Sequence, residues 1–194
     1  MKFTQKNLEQ FSKQIILKNI GINGQKKIFS SKILIVGAGG LGCPLILYLA
    51  SSGVGNIGVV DYDKIETTNL NRQILFTSED VGKYKVDQVK KIVKNINKKI
   101  IIKTFKTKIK KDNIGNILKN FDIICDGTDN FDSRYLINDY CLKYKKYLYQ
   151  RLLISLMARF LILILKKKYP VLDVLCQKNQ IMKSIVTLME FYLL

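Results

Sequence analysis

A glycine-rich turn directly follows an apolar, β-branched run in residues 32–42, KILIVGAGGLG. The run at 33–36 has the length and side chains of a buried parallel strand. Gly37, Gly39 and Gly42 have the spacing GxGxxG, in which the first glycine permits a tight turn, the second lets the backbone approach phosphate and the third lets the next helix pack closely. The helix that follows would direct free N–H groups and a positive dipole end at an anion. The segment therefore predicts a strand, a phosphate-binding turn and a helix.

An acidic residue follows the turn at the distance expected for a ribose-binding acid. A second apolar run at 56–60 predicts a strand, and Asp61 comes directly after it. Because glycines also mark ordinary turns, GxGxxG alone is a weak signal. The strand before it, the helix after it and Asp61 favour nucleotide binding over a purely structural turn, and they also permit a nicotinamide dinucleotide.

Predicted strands and helices alternate along most of the chain. The strands are expected at 33–36, 56–60, 100–105, 121–125 and 147–149, and the helices at 8–19, 41–52, 83–95, 113–119 and 129–145. The segment GINGQ at 21–25 is expected to connect the first helix to the first strand, and 63–77 to be irregular. Such alternation is typical of the α/β class, with a Rossmann-like, doubly wound, mainly parallel sheet and here an N-terminal helical extension.

The charge of the chain is high but dispersed. The formal net charge of +18 would usually suggest a nucleic-acid or membrane partner. The lysines are spread over the whole sequence and arginines are few, as an A/T-biased coding sequence would produce, so we expect a solvated surface and no nucleic-acid partner. The apolar run at 152–165 is too short to span a bilayer and contains Arg159, and the first ten residues lack the apolar core of a signal peptide. We therefore expect no membrane partner and a cytoplasmic location.

The four cysteines give no sign of a zinc site. Cys43, Cys125, Cys141 and Cys176 are far apart, no pair forms a CxxC motif, and the chain has no histidine. The sequence therefore predicts free thiols and no zinc.

Several polar residues point to chemistry at a phosphate. Ligands bind doubly wound sheets beyond the carboxyl ends of the strands, where the glycine turn, Asp61 and the segment DGTDN at 126–130 should meet. Arg72 can fork around phosphate oxygens, Lys85 adds a point charge, and Asp129 is an oxygen ligand suited to magnesium. A dinucleotide would not need this set, so we predict a magnesium-bound nucleoside triphosphate. The alternative is that Arg72 and Lys85 are ordinary solvated cations.

The motifs together resemble the ThiF/MoeB/HesA family, which contains bacterial relatives of the ubiquitin-activating enzymes. They are FSKQIIL, GINGQ, ILIVGAGGLGCP, YLASSGVG, VVDYD, TNLNRQILF, DVGKYKV and DGTDNFDSRYLIND, in the order of the family, over residues 8–149. The resemblance implies ATP-dependent adenylylation of the C-terminal glycine of a ubiquitin-like sulfur-carrier protein, for molybdopterin or thiamine biosynthesis. It also implies a homodimer.

The resemblance assigns roles to individual residues. Those implied to bind the nucleotide are Gly37, Gly39, Gly40, Gly42, Asp61, Asn69, Arg72, Lys85, Asp129, Asn130 and Lys13. Arg72, Lys85 and Asp129 are the implied catalytic residues, with Asp129 on magnesium and Asp61 on the ribose. Lys13 occupies a position where the family usually has an arginine that reaches the ATP of the partner subunit. Lysine keeps the charge but lacks the bidentate fork.

The resemblance ends after Tyr149. We expect residues 1–149 to form the nucleotide-binding domain and 150–194 to be an aberrant tail, the product of a frameshift. Codons allowed for 150–193, read one base out of frame, can encode a GQ pair and the PCxxC zinc-ligand pair that the family has here and this chain lacks. Alternatively, the tail is an extra apolar helix that forms part of a dimer. The competing functions are a nucleotide-binding remnant without turnover and an NAD-dependent oxidoreductase, which Arg72 and Lys85 disfavour.

Overall fold

The computed structural model describes residues 4–150. The predicted tail lies outside the described residues except for Gln150, and so does Cys176. The strands are β1 (Lys32–Val36), β2 (Asn56–Val60), β3 (Ile101–Phe105), β4 (Ile123–Asp126) and β5 (Tyr147–Gln150). The helices are α1 (Gln5–Gln10), α2 (Ser12–Ile15), α3 (Gly21–Ser30), α4 (Gly42–Ser51), α5 (Lys85–Ile96), α6 (Ile114–Leu118) and α7 (Phe131–Lys143). Two short 3₁₀ helices lie at Thr67–Asn69 and Ser78–Asp80.

The five strands form one sheet in the order β3-β2-β1-β4-β5, and every pair is parallel. This confirms the predicted α/β, Rossmann-like, doubly wound sheet. The chain leaves β1 toward β2 and β3 on one side and later returns to place β4 and β5 on the other. The strand order therefore reverses between β1 and β4, and ligands of such sheets bind at that point.

Apolar side chains of the central strands alternate between two cores. Ile35 packs in a cluster with residues of α4 and α5, and Leu34 packs on the opposite face with residues of α6 and α7. Both side chains are fully buried, as expected for a parallel strand covered by helices on both faces. The two cores hold the carboxyl ends of β1, β2 and β4 at one edge of the sheet.

Two local predictions in the N-terminal extension are wrong. The helix predicted at 8–19 is divided into α1 and α2, because the backbone leaves the helical region at the buried residue Phe11. The segment GINGQ, predicted as a connection, lies in α3. Phe29 of α3 packs edge-on against Phe11, and the buried Gln25 side chain donates a hydrogen bond to the Ser52 carbonyl at 2.9 Å. Tertiary packing thus outweighs the low helix propensity of glycine here.

Within the part of the chain that the structure describes, no helix has the length and apolar character needed to cross a membrane.

Candidate functional site

A cleft of about 950 Å³ opens at the carboxyl ends of the strands. Nine of the predicted site residues line it, and they come from five separate stretches of sequence. They are Gly37, Gly39, Gly40, Asp61, Asn69, Arg72, Lys85, Asp129 and Asn130. Gly42 lies just behind the glycine turn, and Lys13 is exposed on α2 and does not line the cleft of its own chain.

The glycine turn lies where the strand order reverses. Gly37 has φ +94°, a left-handed conformation that favours glycine, and a Cβ there would lie 3.1 Å from the Gly127 carbonyl oxygen at the end of β4. A Cβ on Gly42 would collide with the Gly37 carbonyl. The turn therefore touches both the loop after β4 and the first residue of α4. These contacts place the N-terminus of α4 at the floor of the cleft, where free N–H groups favour an anion.

Asp61 ties the end of β2 to the glycine turn. Its Oδ2 accepts a hydrogen bond from the Ala38 amide at 2.7 Å, and its Oδ1 accepts one from the Asp63 amide at 2.8 Å. Burial raises the pKa of the Asp61 carboxyl, and these two hydrogen bonds and the nearby charge of Lys85 oppose that rise. A carboxylate oxygen accepts more than one hydrogen bond, so Asp61 keeps acceptor capacity for a ligand hydroxyl.

Lys85 is buried, with 5% of its surface exposed. Its Nζ forms an ion pair with Asp63 at 3.0 Å, and its backbone amide donates to the Asp63 carbonyl. The alternative that Lys85 is an ordinary solvated cation is therefore wrong. Sequence reasoning missed Asp63, which only the fold brings to Lys85 across 22 positions.

Arg72 and Asn69 lie on the irregular segment predicted at 63–77. Asn69 Oδ1 accepts a hydrogen bond from the Glu66 amide at 3.3 Å and closes the 3₁₀ turn. The exposed Arg72 lies over Gly40, and its Nη1 donates to the Thr68 carbonyl at 2.8 Å and to Asn71 Oδ1 at 3.1 Å. Among residues 4–150 the guanidinium is bonded only within its own turn, so a ligand in the cleft can compete for it.

Gln73, the last residue of the motif NLNRQ, also lines the cleft. Its side chain is almost fully buried, and its Oε1 has no hydrogen-bond partner among the residues that the structure describes. A buried amide oxygen without a partner costs free energy, which is the usual condition of a group that a ligand or water satisfies. Its position next to Arg72 in the motif NLNRQ was the available signal.

The loop after β4 brings the segment DGTDN to the cleft. Asp129 is exposed, and its carboxylate has no hydrogen bond or ion pair with any residue between 4 and 150. Asn130 lines the cleft and also caps α7, because its Oδ1 accepts a hydrogen bond from the Ser133 amide at 2.9 Å. Sequence reasoning missed Asp126 and Arg134, two buried residues that hold this loop.

The donor set fits a magnesium ion carried by a polyphosphate. Between residues 4 and 150, no group of three or more histidine, cysteine, aspartate or glutamate residues could hold a metal by itself. Magnesium is typically held by one or two carboxylates together with substrate phosphates. Asp129 offers one carboxylate at the cleft that has no partner among residues 4–150, which suits that arrangement.

The described cysteines are free and buried. Burial raises the pKa of the Cys43 thiol to about 11 and the pKa values of Cys125 and Cys141 to about 12. A thiol is nucleophilic as the thiolate, so these three are unreactive near neutral pH.

The sheet order and the glycine turn at the reversal point define an α/β protein of the Rossmann-like class. Within that class the chain belongs to the ThiF family, whose model matches residues 11–189.

Named relatives of the chain are adenylyltransferases. The chain is 47% identical over 145 residues to "Adenylyltransferase and sulfurtransferase MOCS3" of Culex quinquefasciatus, covering 75% of this chain and 33% of that protein. It is 47% identical over 148 residues to a "Probable molybdopterin-synthase adenylyltransferase" of Porphyra purpurea, covering 75% and 39%. A "Sulfur carrier protein adenylyltransferase" of Thermus thermophilus is 38% identical over 139 residues, covering 72% and 51%. The chain thus spans about a third to a half of the length of these relatives.

Solved structures share the fold. The E. coli tRNA N6-threonylcarbamoyladenosine dehydratase TcdA has a TM-score of 0.72 at 22% identity, covering 77% of this chain and 62% of that chain. E. coli MccB, solved with AMPCPP and MccA, has a TM-score of 0.62 at 31% identity, covering 68% and 40%.

Proposed function

We propose that this chain is the nucleotide-binding part of an ATP-dependent adenylyltransferase that activates the C-terminal glycine of a ubiquitin-like sulfur-carrier protein. The observation that carries the proposal is the convergence of the glycine turn, Arg72, Lys85 and Asp129 on one cleft. The names of the relatives support it, since two of them are adenylyltransferases of molybdopterin synthase or of a sulfur carrier and the third is an adenylyltransferase and sulfurtransferase. The complex of MccB with AMPCPP supports an adenine nucleotide.

The cleft supplies alignment and charge neutralisation to the proposed reaction. The glycine turn and the N-terminus of α4 hold phosphate oxygens through backbone N–H groups, and Asp61 holds the ribose. Arg72 and Lys85 neutralise charge that develops on the phosphates, and Asn69 donates to them. Magnesium, when bound at Asp129, would add charge neutralisation on the phosphate oxygens.

The chemical step needs no protein nucleophile. A carboxylate oxygen of the carrier's terminal glycine forms a bond to the α-phosphorus of ATP, and the bond from that phosphorus to the β-phosphate oxygen breaks. Pyrophosphate leaves with the bonding electron pair, and an acyl-adenylate remains. Because the described thiols are buried and protonated, none of them takes part in this step. In-line alignment and electrostatic stabilisation are therefore what the protein has to contribute.

Exchange of radioactive pyrophosphate into ATP tests the proposed reaction. The full chain should catalyse exchange only when a sulfur-carrier protein with an intact C-terminal glycine is present. Binding of ATP without exchange would indicate the nucleotide-binding remnant instead. Preferential binding of NAD over ATP would revive the oxidoreductase alternative and overturn the proposal.

The domain division and the cellular setting are part of the proposal. We assign residues 1–149 to the nucleotide-binding domain and 150–194 to an aberrant tail. The relatives' alignments, which span 139 to 148 residues, support this division, whereas the family model matches as far as residue 189. The sequence of the encoding DNA tests whether the tail is a frameshift product. If it is, correcting a single-base slip near codon 149 should restore the family's CxxC pair. If no single-base correction restores that pair, the frameshift is rejected. The three free buried thiols suit a reducing cytoplasm.

A further inference from the structure

The buried carboxylate of Asp126, the last residue of β4, holds the loop that follows this strand. Asp126 Oδ1 accepts hydrogen bonds from the Thr128 amide at 2.9 Å and from Thr128 Oγ1 at 2.7 Å. Its Oδ2 accepts a hydrogen bond from Gln150 Nε2, in β5, at 2.7 Å. Asp126 and Gln150 are 5% and 6% exposed. The bond between Asp126 and Gln150 is therefore buried, and the two bonds to Thr128 are partly buried. Because the carboxylate itself is buried, the loss of a partner is costly.

A buried arginine of α7 also bonds to this loop. Arg134, in α7, is 6% exposed, and its Nε and Nη2 donate to the Thr128 carbonyl at 3.1 and 2.8 Å. The amide, the hydroxyl and the carbonyl of Thr128 are thus all bonded, between a buried anion and a buried cation. A threonine whose three polar groups are all fixed has very little freedom to shift.

Asp129 lies between Thr128 and Asn130, and hydrogen bonds hold both of these neighbours. Asn130 caps α7 through the Ser133 amide. The backbone of Asp129 is therefore held on both sides, although its carboxylate has no partner among residues 4–150. A held backbone with a free carboxylate is the arrangement expected of a ligand that must be in place before its ion arrives.

The geometry points to Asp126, Thr128 and Arg134 as a positioning clamp that sets Asp129 for the magnesium of a bound nucleotide, with Gln150 linking the clamp to β5. This inference rests on the proposed function, because it assumes that the cleft binds magnesium-bound ATP. Thr128 and Arg134 also line the cleft, whereas Asp126 does not, and the clamp as proposed requires no contact of the three with the nucleotide. Asp126 and Arg134 are 8 positions apart and Gln150 is 24 positions from Asp126, so only the folded sheet assembles the clamp.

Calorimetric titration of the full chain with ATP, once with excess magnesium and once with EDTA, tests the clamp. Thr128→Val keeps the shape of the side chain and removes the hydroxyl donor. It should weaken magnesium-dependent binding by about tenfold and leave binding in EDTA unchanged, because the clamp assigns the lost hydrogen bond to the placement of Asp129. Thr128→Ser keeps the donor and should restore the magnesium effect. Gln150→Leu should give a smaller loss of about threefold, because Asp126 keeps both bonds to Thr128.

Thr104→Val on β3 is the matched control, because it is the same substitution on an edge strand outside the cleft. It should change neither titration. Equal weakening of both titrations by Thr128→Val would show a merely structural role and overturn the clamp, and so would a full magnesium effect in that variant. ATP binding by the wild-type chain without any magnesium effect would also reject it. Failure of the wild-type chain to bind ATP under either condition would instead reject the proposed function.

Discussion

Asp61 and Arg72 line the same cleft, but the structure holds them in different ways. Asp61 is 8% exposed, and both of its carboxylate oxygens accept hydrogen bonds from backbone amides. The donors are Ala38, in the glycine turn, and Asp63, in the segment after β2. Arg72 is exposed, and within the described part of the chain its guanidinium bonds only to Thr68 and Asn71, in its own turn. We call residues 37–42 with Asp61 the glycine wall, and residues 67–73 the arginine wall.

The difference separates residues that shape the cleft from residues that are available to a ligand. On the glycine wall, close backbone contacts such as that between Gly42 and the Gly37 carbonyl build both the fold and the site, so a substitution at such a contact should reduce stability. On the arginine wall, the exposed guanidinium contributes little to the fold and can exchange its local partners for a phosphate. Substitutions on the glycine wall should therefore change the free energy of unfolding, whereas substitutions on the arginine wall should change the affinity for ATP.

The largest expected effect is on the glycine wall, at Gly42. In Gly42→Ala the new Cβ would collide with the Gly37 carbonyl, so the turn or α4 must move. We expect the free energy of unfolding in urea to fall by about 1–3 kcal/mol, as for overpacked positions. Gly39→Ala is the control, since a Cβ there meets nothing within 4 Å and should change stability by less than about 0.5 kcal/mol. Equal losses in the two variants would remove the basis for a rigid glycine wall.

The next effect is on affinity and lies on the arginine wall. Arg72→Ala should weaken ATP binding by about 10- to 100-fold, the usual range for a lost hydrogen bond to a charged group, and change unfolding by less than about 0.5 kcal/mol. Calorimetric titration and urea unfolding measure the two quantities on the same sample. Lys103→Ala, on the exposed side of the edge strand β3, removes one positive charge away from the cleft and is the control. A similar loss of affinity in both variants would mean that Arg72 acts only through net charge.

The sequence predicted the glycine wall better than the rest of the site. The strand at 56–60 and the acid after it follow from an apolar run and a glycine turn, which are local patterns, and β2 has those bounds. Asp63 and Asp126 gave no such signal, because their roles depend on Lys85 and Gln150, which lie 22 and 24 positions away. An aspartate that ends a strand looks the same in sequence whether it is solvated or buried in a network.

The helical arginine and the glycine-containing segment were missed for the same physical reason. Arg134 occupies an ordinary helical position, and only the fold of the loop after β4 brings the Thr128 carbonyl to its guanidinium. The helix α3 begins at a glycine, and packing of Phe29 and Gln25 stabilises it against the propensity of its sequence. Local sequence patterns thus predict strands and turns, whereas tertiary contacts determine the role of Arg134 and the formation of α3.

A pH-dependent effect should distinguish Asp126 from a surface acid. Burial raises the pKa of the Asp126 carboxyl above its usual value of 3.8, against the hydrogen bonds from Thr128 and Gln150. The folded state therefore binds this proton more tightly than the unfolded state. The contribution of this proton to the free energy of unfolding is fully present below the pKa that Asp126 has in the unfolded state. It is lost as the pH rises through the higher pKa that Asp126 has in the folded state.

Asp126→Asn removes this titration and can keep the hydrogen bond to Thr128. The stability of the variant relative to wild type should therefore increase as the pH is raised from about 4 to 7, measured by urea unfolding at several pH values. Asp112→Asn, at an exposed position, is the control and should show no such trend. A difference between Asp126→Asn and wild type that stays constant or narrows with rising pH would contradict this account of the buried carboxylate.

The smallest effect is expected at Lys13, which belongs to neither wall. Lys13 is exposed on α2 and outside the cleft of its own chain, so Lys13→Ala should change the free energy of unfolding by less than about 0.5 kcal/mol. If the homodimer that the family resemblance implies brings this lysine to the ATP of the partner, the variant should weaken ATP binding by about twofold to threefold, as expected for an exposed charge. The loss should appear only at protein concentrations where sedimentation shows dimers. Lys13→Arg should then bind more tightly than wild type, because the guanidinium supplies a bidentate fork. The same affinity for all three proteins in the dimeric state would exclude Lys13 from the site.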